Sequence, residues 1–133
     1  MSDEFKDLRI MIVDDFEMIR ITIKSALHKL NVKNIDEAKD GADGLEKLKK
    51  KVESGGSYDL IFCDWNMPNM TGIQLLEACK KDPKIAPIPF IMVTSETEKG
   101  FVLDAIKLGA ADYVVKPFAI DTIEKKLNKV FKK

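Results

Sequence analysis

Short apolar runs recur along this chain, and between them apolar positions repeat every three to four residues. Leu8 to Val13 is almost wholly apolar and reads as a β-strand. In Ile19 to Leu30, Ile19, Ile23, Ala26, Leu27 and Leu30 fall on one side, the mark of an amphipathic helix. Asn34 to Ala38 is a weaker second strand. Ala42 to Val52 is the next helix, closed by the turn formers Ser54-Gly55-Gly56-Ser57. Leu60 to Cys63 is a continuously apolar strand. Gly72 to Lys81 is a helix stopped by Asp82-Pro83, because the residue before proline disfavours helical geometry. Pro89 to Val93 is a strand, and Lys99 to Leu108 a helix that Gly109 closes. Asp112 to Val115 is the last strand and Ile120 to Phe131 the last helix.

Strand and helix therefore alternate five times. That order predicts an α/β fold, a doubly wound five-stranded parallel sheet with helices on both faces. Right-handed crossovers then fix most of the topology. No linker, repeat or low-complexity block interrupts the alternation, so residues 1–133 read as a single domain with a core from about 8 to 131. In such sheets ligands bind beyond the carboxyl ends of the strands.

Composition narrows the class. The 133 residues are 45% hydrophobic and 33% charged, a globular profile. The longest apolar runs are strand-sized, far short of the roughly 18 residues that cross a bilayer. Met1-Ser2-Asp3-Glu4-Phe5 is acidic and has no signal-peptide character, which points to a cytoplasmic protein. Cys63 and Cys79 fit buried thiols better than a disulfide framework. Lys plus Arg and Asp plus Glu are both 22, so net charge is zero and a nucleic-acid binder is disfavoured. The basic run from Lys125 to Lys133 suits the solvated end of a helix.

The strand ends carry the chemistry. Strand 1 runs into Asp14 and Asp15, strand 3 into Asp64, strand 4 into Thr94 and Ser95, and strand 5 into Lys116 and Pro117. Any one of these could be a turn former or helix cap. Together, on one edge of a parallel sheet, they form a cleft of three carboxylates, hydroxyls and a lysine. Like charges so close need a cation, and a hard divalent ion with oxygen ligands fits, Mg2+ best. Asp15 and Asp64 are the candidate direct ligands, with Asp14 acting through water and the Asn66 carbonyl completing the set. A carboxylate beside such an ion can attack phosphorus. Asp64, alone at the end of the most apolar strand, is the candidate nucleophile. Phosphoryl transfer asks mainly for alignment and charge neutralisation, which Lys116 and the Thr94 hydroxyl can supply. Neither a P-loop nor a dinucleotide-binding glycine pattern is present, and Asp40-Gly41-Ala42-Asp43-Gly44 lacks the spacing of a calcium loop.

These residues carry a family resemblance. Val13-Asp14-Asp15, Asp64-Trp65-Asn66-Met67-Pro68, Met92-Val93-Thr94 and Tyr113-Val114-Val115-Lys116-Pro117-Phe118 resemble the receiver domains of two-component response regulators, the CheY-like chemotaxis members most closely. The resemblance runs in order from about residue 8 to the C-terminus. It implies a flavodoxin-like fold with strand order 2-1-3-4-5, an order the handed crossovers alone do not fix. It implies phosphorylation of Asp64 by a CheA-like histidine kinase, and catalytic roles for Lys116 and Thr94. It implies Mg2+ held by Asp14, Asp15, Asp64 and Asn66, and a switch in which Thr94 moves toward the phosphoryl group and Tyr113 turns inward. Asn66 and Glu96 match the pair that tunes dephosphorylation. The Lys116-Pro117 bond would be cis. The output would be a remodelled face of helix 4, strand 5 and helix 5 that binds a FliM-like flagellar motor switch protein, and a CheZ-like phosphatase is a further partner kind. Glu17, Ser95 and Glu98 depart from the family pattern.

The last helix closes the chain, so the reading is a stand-alone, monomeric switch whose output is protein contact. A phosphate sink or relay that never touches a motor is the second reading. A phosphatase that turns over small molecules is the third. It would want a second aspartate two residues after the nucleophile, where this chain has Asn66. A non-enzyme is therefore expected, one that catalyses only its own phosphoryl transfer and loss.

Overall fold

A computed structural model of the chain describes residues 5–65, 67–95 and 102–131. The strands are β1 (Arg9–Val13), β2 (Asn34–Ala38), β3 (Leu60–Asp64), β4 (Phe90–Ser95) and β5 (Asp112–Lys116). The helices are α1 (Glu17–Lys29), α2 (Gly41–Glu53), α3 (Gly72–Lys80), α4 (Val102–Lys107) and α5 (Ile120–Phe131). The strands form one sheet in the order β2-β1-β3-β4-β5, parallel throughout.

The period-two geometry of a strand explains why its apolar runs are unbroken. Met11, Val13, Ile61, Cys63, Phe90 and Met92 point to one face, where Leu48 of α2 and Leu75, Leu76 and Cys79 of α3 cover them. Ile10, Ile12, Leu60, Phe62, Ile91 and Val93 point to the other, under Ile23, Ala26 and Leu27 of α1 and Ile123 and Leu127 of α5. Each central strand thus feeds two cores. Phe118 packs at the edge of the second one.

Helix ends follow local chemistry. Asp40 caps α2 by accepting from the Asp43 N–H, and Thr71 with Gln74 forms a reciprocal capping box on α3. Gly109 closes α4 with φ at 110°, a conformation that side chains with a Cβ resist.

Some boundaries differ from the sequence reading. α1 begins at Glu17, two residues before the apolar pattern starts, since an acidic residue suits the first turn. β4 extends through Thr94 and Ser95, because they pair with Val115 and Lys116 of β5. Ladder pairing continues there although side-chain polarity has changed. The expected start of helix 4 at Lys99 lies outside the described residues. Both cysteines are free and buried. Among the described residues no helix is long and apolar enough to cross a membrane.

Candidate functional site

Parallel pairing brings the carboxyl ends of β1, β3, β4 and β5 to one edge. Asp14 sits one residue beyond β1, and its N–H donates to the Ala38 carbonyl at 3.1 Å, which fixes the strand's exit. Asp14 Oδ1 accepts from the Phe16 N–H at 2.9 Å. The other oxygen, Oδ2, is buried without a hydrogen-bond partner among the described residues, and lies 3.7 Å from Lys116 Nζ. Asp64 ends β3 and is only 5% exposed. Its Oδ1 accepts from Lys116 Nζ at 3.1 Å. One carboxylate oxygen from each of Asp14, Asp15 and Asp64 lies within 4.8 Å of the others. Asp15 is exposed, so the cleft opens to solvent on its side.

This donor set suits magnesium. Three hard oxygens converge, one acid is exposed enough to exchange ligands, and the Asp14 Oδ2 atom is buried without a donor among the described residues. A single ammonium cannot balance three carboxylates. Burial, and then the charge of Asp14, push the Asp64 carboxyl up to about 6, with Lys116 pulling the other way. Burial likewise raises Asp14, against the Phe16 N–H and Lys116. A divalent cation would reverse both effects.

The remaining expected residues divide three ways. Thr94 is buried in β4, two pairs along the ladder from Tyr113, and its hydroxyl donates to the Ser95 carbonyl at 3.3 Å. Tyr113 lies on β5 and is 36% exposed, outside the cores. The Lys116-Pro117 peptide bond is cis. Asn66 and Glu96, expected to complete the metal set and to tune dephosphorylation, lie outside the described residues, as does Glu98.

The segment after β3 is tied down on both sides of position 66. The Gly72 N–H donates to the Trp65 carbonyl at 3.0 Å. Asn69 takes a left-handed φ of 67° and donates from Nδ2 to Asp40 Oδ2 at 3.1 Å. Cys63, just before the acid, is wholly buried and its thiol donates to the Asp64 carbonyl at 3.4 Å.

Sequence reasoning missed Arg20. From α1 it donates to the Asp14 carbonyl at 2.7 Å and pairs with Glu37 of β2 at 3.1 Å. Glu37 also holds Lys24 at 2.6 Å. Burial works against the Glu37 charge, but the Lys24 bond outweighs it and the carboxyl stays below its ordinary value. No sequence pattern signals this contact, because Arg20 reaches a backbone carbonyl. Arg20→Leu should leave a buried carbonyl unmet, costing roughly 1–3 kcal/mol. A magnesium titration followed by Trp65 fluorescence should show weaker binding. Unchanged affinity would remove Arg20 from the support of the site.

The comparisons agree with this geometry. Residues 10–128 match the family model described as "Response regulator receiver domain". The chain is 38% identical over 128 residues to the chemotaxis protein CheY-3 of Vibrio cholerae, covering 96% of this chain and 95% of that one. It is 39% identical over 126 residues to the chemotaxis protein CheY of Pseudomonas aeruginosa, covering 95% and 98%. The solved structure of Vibrio cholerae CheY4 superposes with a TM-score of 0.82 at 30% identity, over 93% of this chain and 98% of that one. An acidic cleft at the carboxyl edge of a 2-1-3-4-5 sheet, matched along nearly its whole length, makes this chain a member of the response regulator receiver domain family.

Proposed function

We propose that this chain is a magnesium-dependent phosphorylation switch of the chemotaxis type, with Asp64 as the phosphoryl acceptor. The observation that carries the reading is the placement of Lys116 Nζ 3.1 Å from a buried Asp64 that shares its cleft with Asp14 and Asp15. A CheA-like kinase presents a phosphohistidine. The Asp64 carboxylate oxygen forms a bond to phosphorus as the P–N bond breaks, and the electron pair leaves with the imidazole. Asp14, Asp15, Asp64 and the Asn66 carbonyl would hold Mg2+, and the ion would supply charge neutralisation for phosphoryl transfer. Lys116 steadies the new phosphoryl oxygens. Thr94 closes on them, Tyr113 turns into the space released, and the α4–β5–α5 face changes shape. Asn66 and Glu96 set how fast water removes the group. The chain transfers phosphorus only to itself, in the cytoplasm, and is not a turnover enzyme.

The names of the CheY relatives support a chemotaxis output, and the reader in this proposal is a FliM-like motor switch. Acetyl phosphate and Mg2+ should place one acyl phosphate on the peptide containing Asp64, and EDTA should prevent it. Equal labelling in EDTA would overturn the metal's part. Lys116→Ala should still accept phosphorus yet bind a FliM-like N-terminal peptide at least tenfold more weakly, about 1.4 kcal/mol. Wild-type affinity in that phosphorylated variant would take the lysine out of the switch. Wild-type protein that accepts phosphorus from the kinase but ignores the peptide would favour a phosphate sink.

A further inference from the structure

β5 opens with a buried carboxylate that serves several donors. Asp112 is 3% exposed. Its Oδ1 accepts from its neighbour's N–H, that of Tyr113, at 2.8 Å and from Lys126 Nζ at 3.1 Å. Lys129 Nζ lies 3.3 Å from Oδ2. Lys126 and Lys129 are three residues apart on α5, so both cations sit on one stripe of the helix, over the start of β5. Burial pushes the Asp112 carboxyl up, but the Tyr113 N–H and the lysines outweigh it and hold it below its ordinary value. The pairing fixes Lys126, whose side chain is only 23% exposed.

Lys126 has a second neighbour. Its Nζ lies 4.9 Å from the centroid of the Tyr113 ring. That is within the roughly 6 Å over which an ammonium is drawn to an aromatic face. The ammonium is therefore shared between a buried carboxylate and a half-exposed ring.

We propose that Asp112 and Lys126 form a latch that holds Tyr113 outward, making Lys126 a positioning residue for the switch. The inference rests on Tyr113 being the switching ring, as read above. A ring that turns inward leaves the ammonium behind, because Asp112 keeps Lys126 in place. The outward arrangement alone satisfies both partners. An exposed cation–π contact biases the outward-to-inward ratio by roughly two- to fivefold. That bias is small enough for a phosphoryl group to override, and large enough to keep the unphosphorylated protein quiet. Activation must spend the same factor, so releasing the latch tightens the binding of any phosphoryl mimic.

The chain has two tyrosines, Tyr58 and Tyr113, so 3-fluorotyrosine labelling yields two fluorine resonances. Tyr113→Phe assigns them, and the Tyr58 signal reports an intact fold. Beryllofluoride with Mg2+ should move the Tyr113 resonance in the wild-type protein. In Lys126→Met, the titration midpoint should fall two- to fivefold, a change that loss of a neighbouring charge alone would not cause. Asp112→Asn should act in the same direction, since its ammonium is no longer held over the ring. Lys126→Arg keeps both contacts and should titrate as wild type. Lys129→Met, which touches the carboxylate only, should do the same. An unchanged midpoint in Lys126→Met, with a normal wild-type response, overturns the latch and leaves the switch standing. A wild-type Tyr113 resonance that ignores beryllofluoride overturns the switching ring and the latch together.

Discussion

Asp64→Asn is expected to abolish phosphoryl acceptance and, without magnesium, to make the folded protein more stable at neutral pH. The first effect is chemical: an amide oxygen cannot form the acyl phosphate, so labelling by acetyl phosphate should drop to background. The second is electrostatic. The folded Asp64 carboxyl titrates at about 6, above its ordinary 3.8, mainly through burial. A raised carboxyl binds more protons in the folded state than in the unfolded one. Its penalty is therefore absent below about pH 4, grows between 4 and 6, and is complete above 6. At about 1.4 kcal/mol per pH unit, it amounts to roughly 3 kcal/mol at pH 7. Asn lifts that penalty and also relieves Asp14, which sits close by. In EDTA at pH 7 the variant should melt higher than wild type, and the gap should vanish near pH 4. Magnesium should raise the melting temperature of wild type and barely that of the variant. Equal melting of the two proteins at pH 7 in EDTA would mean that Asp64 is not strained as its burial implies.

The other large effect is expected at Gly72. A Cβ there would collide with the Asp64 carbonyl and crowd the Met92 methyl at 2.9 Å. The carbonyl cannot retreat, because β3 is paired on both sides and α3 starts at Gly72 under its capping box. Gly72→Ala should destabilise the fold by about 3 kcal/mol. For a domain of this size that is a loss of roughly 10 °C in Tm. The same collision displaces Asp64, so magnesium affinity should fall too. Calorimetry and a metal titration on the variant read the two effects separately. A melting point within a degree of wild type would show that the β3–α3 junction yields.

Much of this was legible in the residues. Continuous apolar runs such as Leu60 to Cys63 announce strands buried on both faces, and their alternation with helices leaves little freedom of topology. Asp14, Asp15, Asp64 and Lys116 were found because each stands where an apolar run ends, and parallel pairing collects such ends. Thr94 was expected beyond its strand and lies within it, since side-chain polarity does not report where ladder pairing stops. Arg20 escaped notice because its contact is to a backbone carbonyl, which no pattern of side chains records. The Asp112–Lys126 pair joins the first residue of a strand to the middle of the next helix. Its spacing carries no period, and only the packing of α5 on β5 creates it.

Both thiols of the chain are free and buried. Cys63 directly precedes Asp64, and Cys79 faces the same core from α3. Burial pushes Cys79 up to about 12 and Cys63 well above its ordinary value. Thiolate is the form that oxidants and alkylators attack, and at pH 7 Cys79 holds on the order of one part in a hundred thousand of it. Peroxide or glutathione disulfide therefore has no handle beside Asp64. Peroxide treatment should therefore leave the chemistry of Asp64 unchanged, because both neighbouring thiols stay protonated and buried.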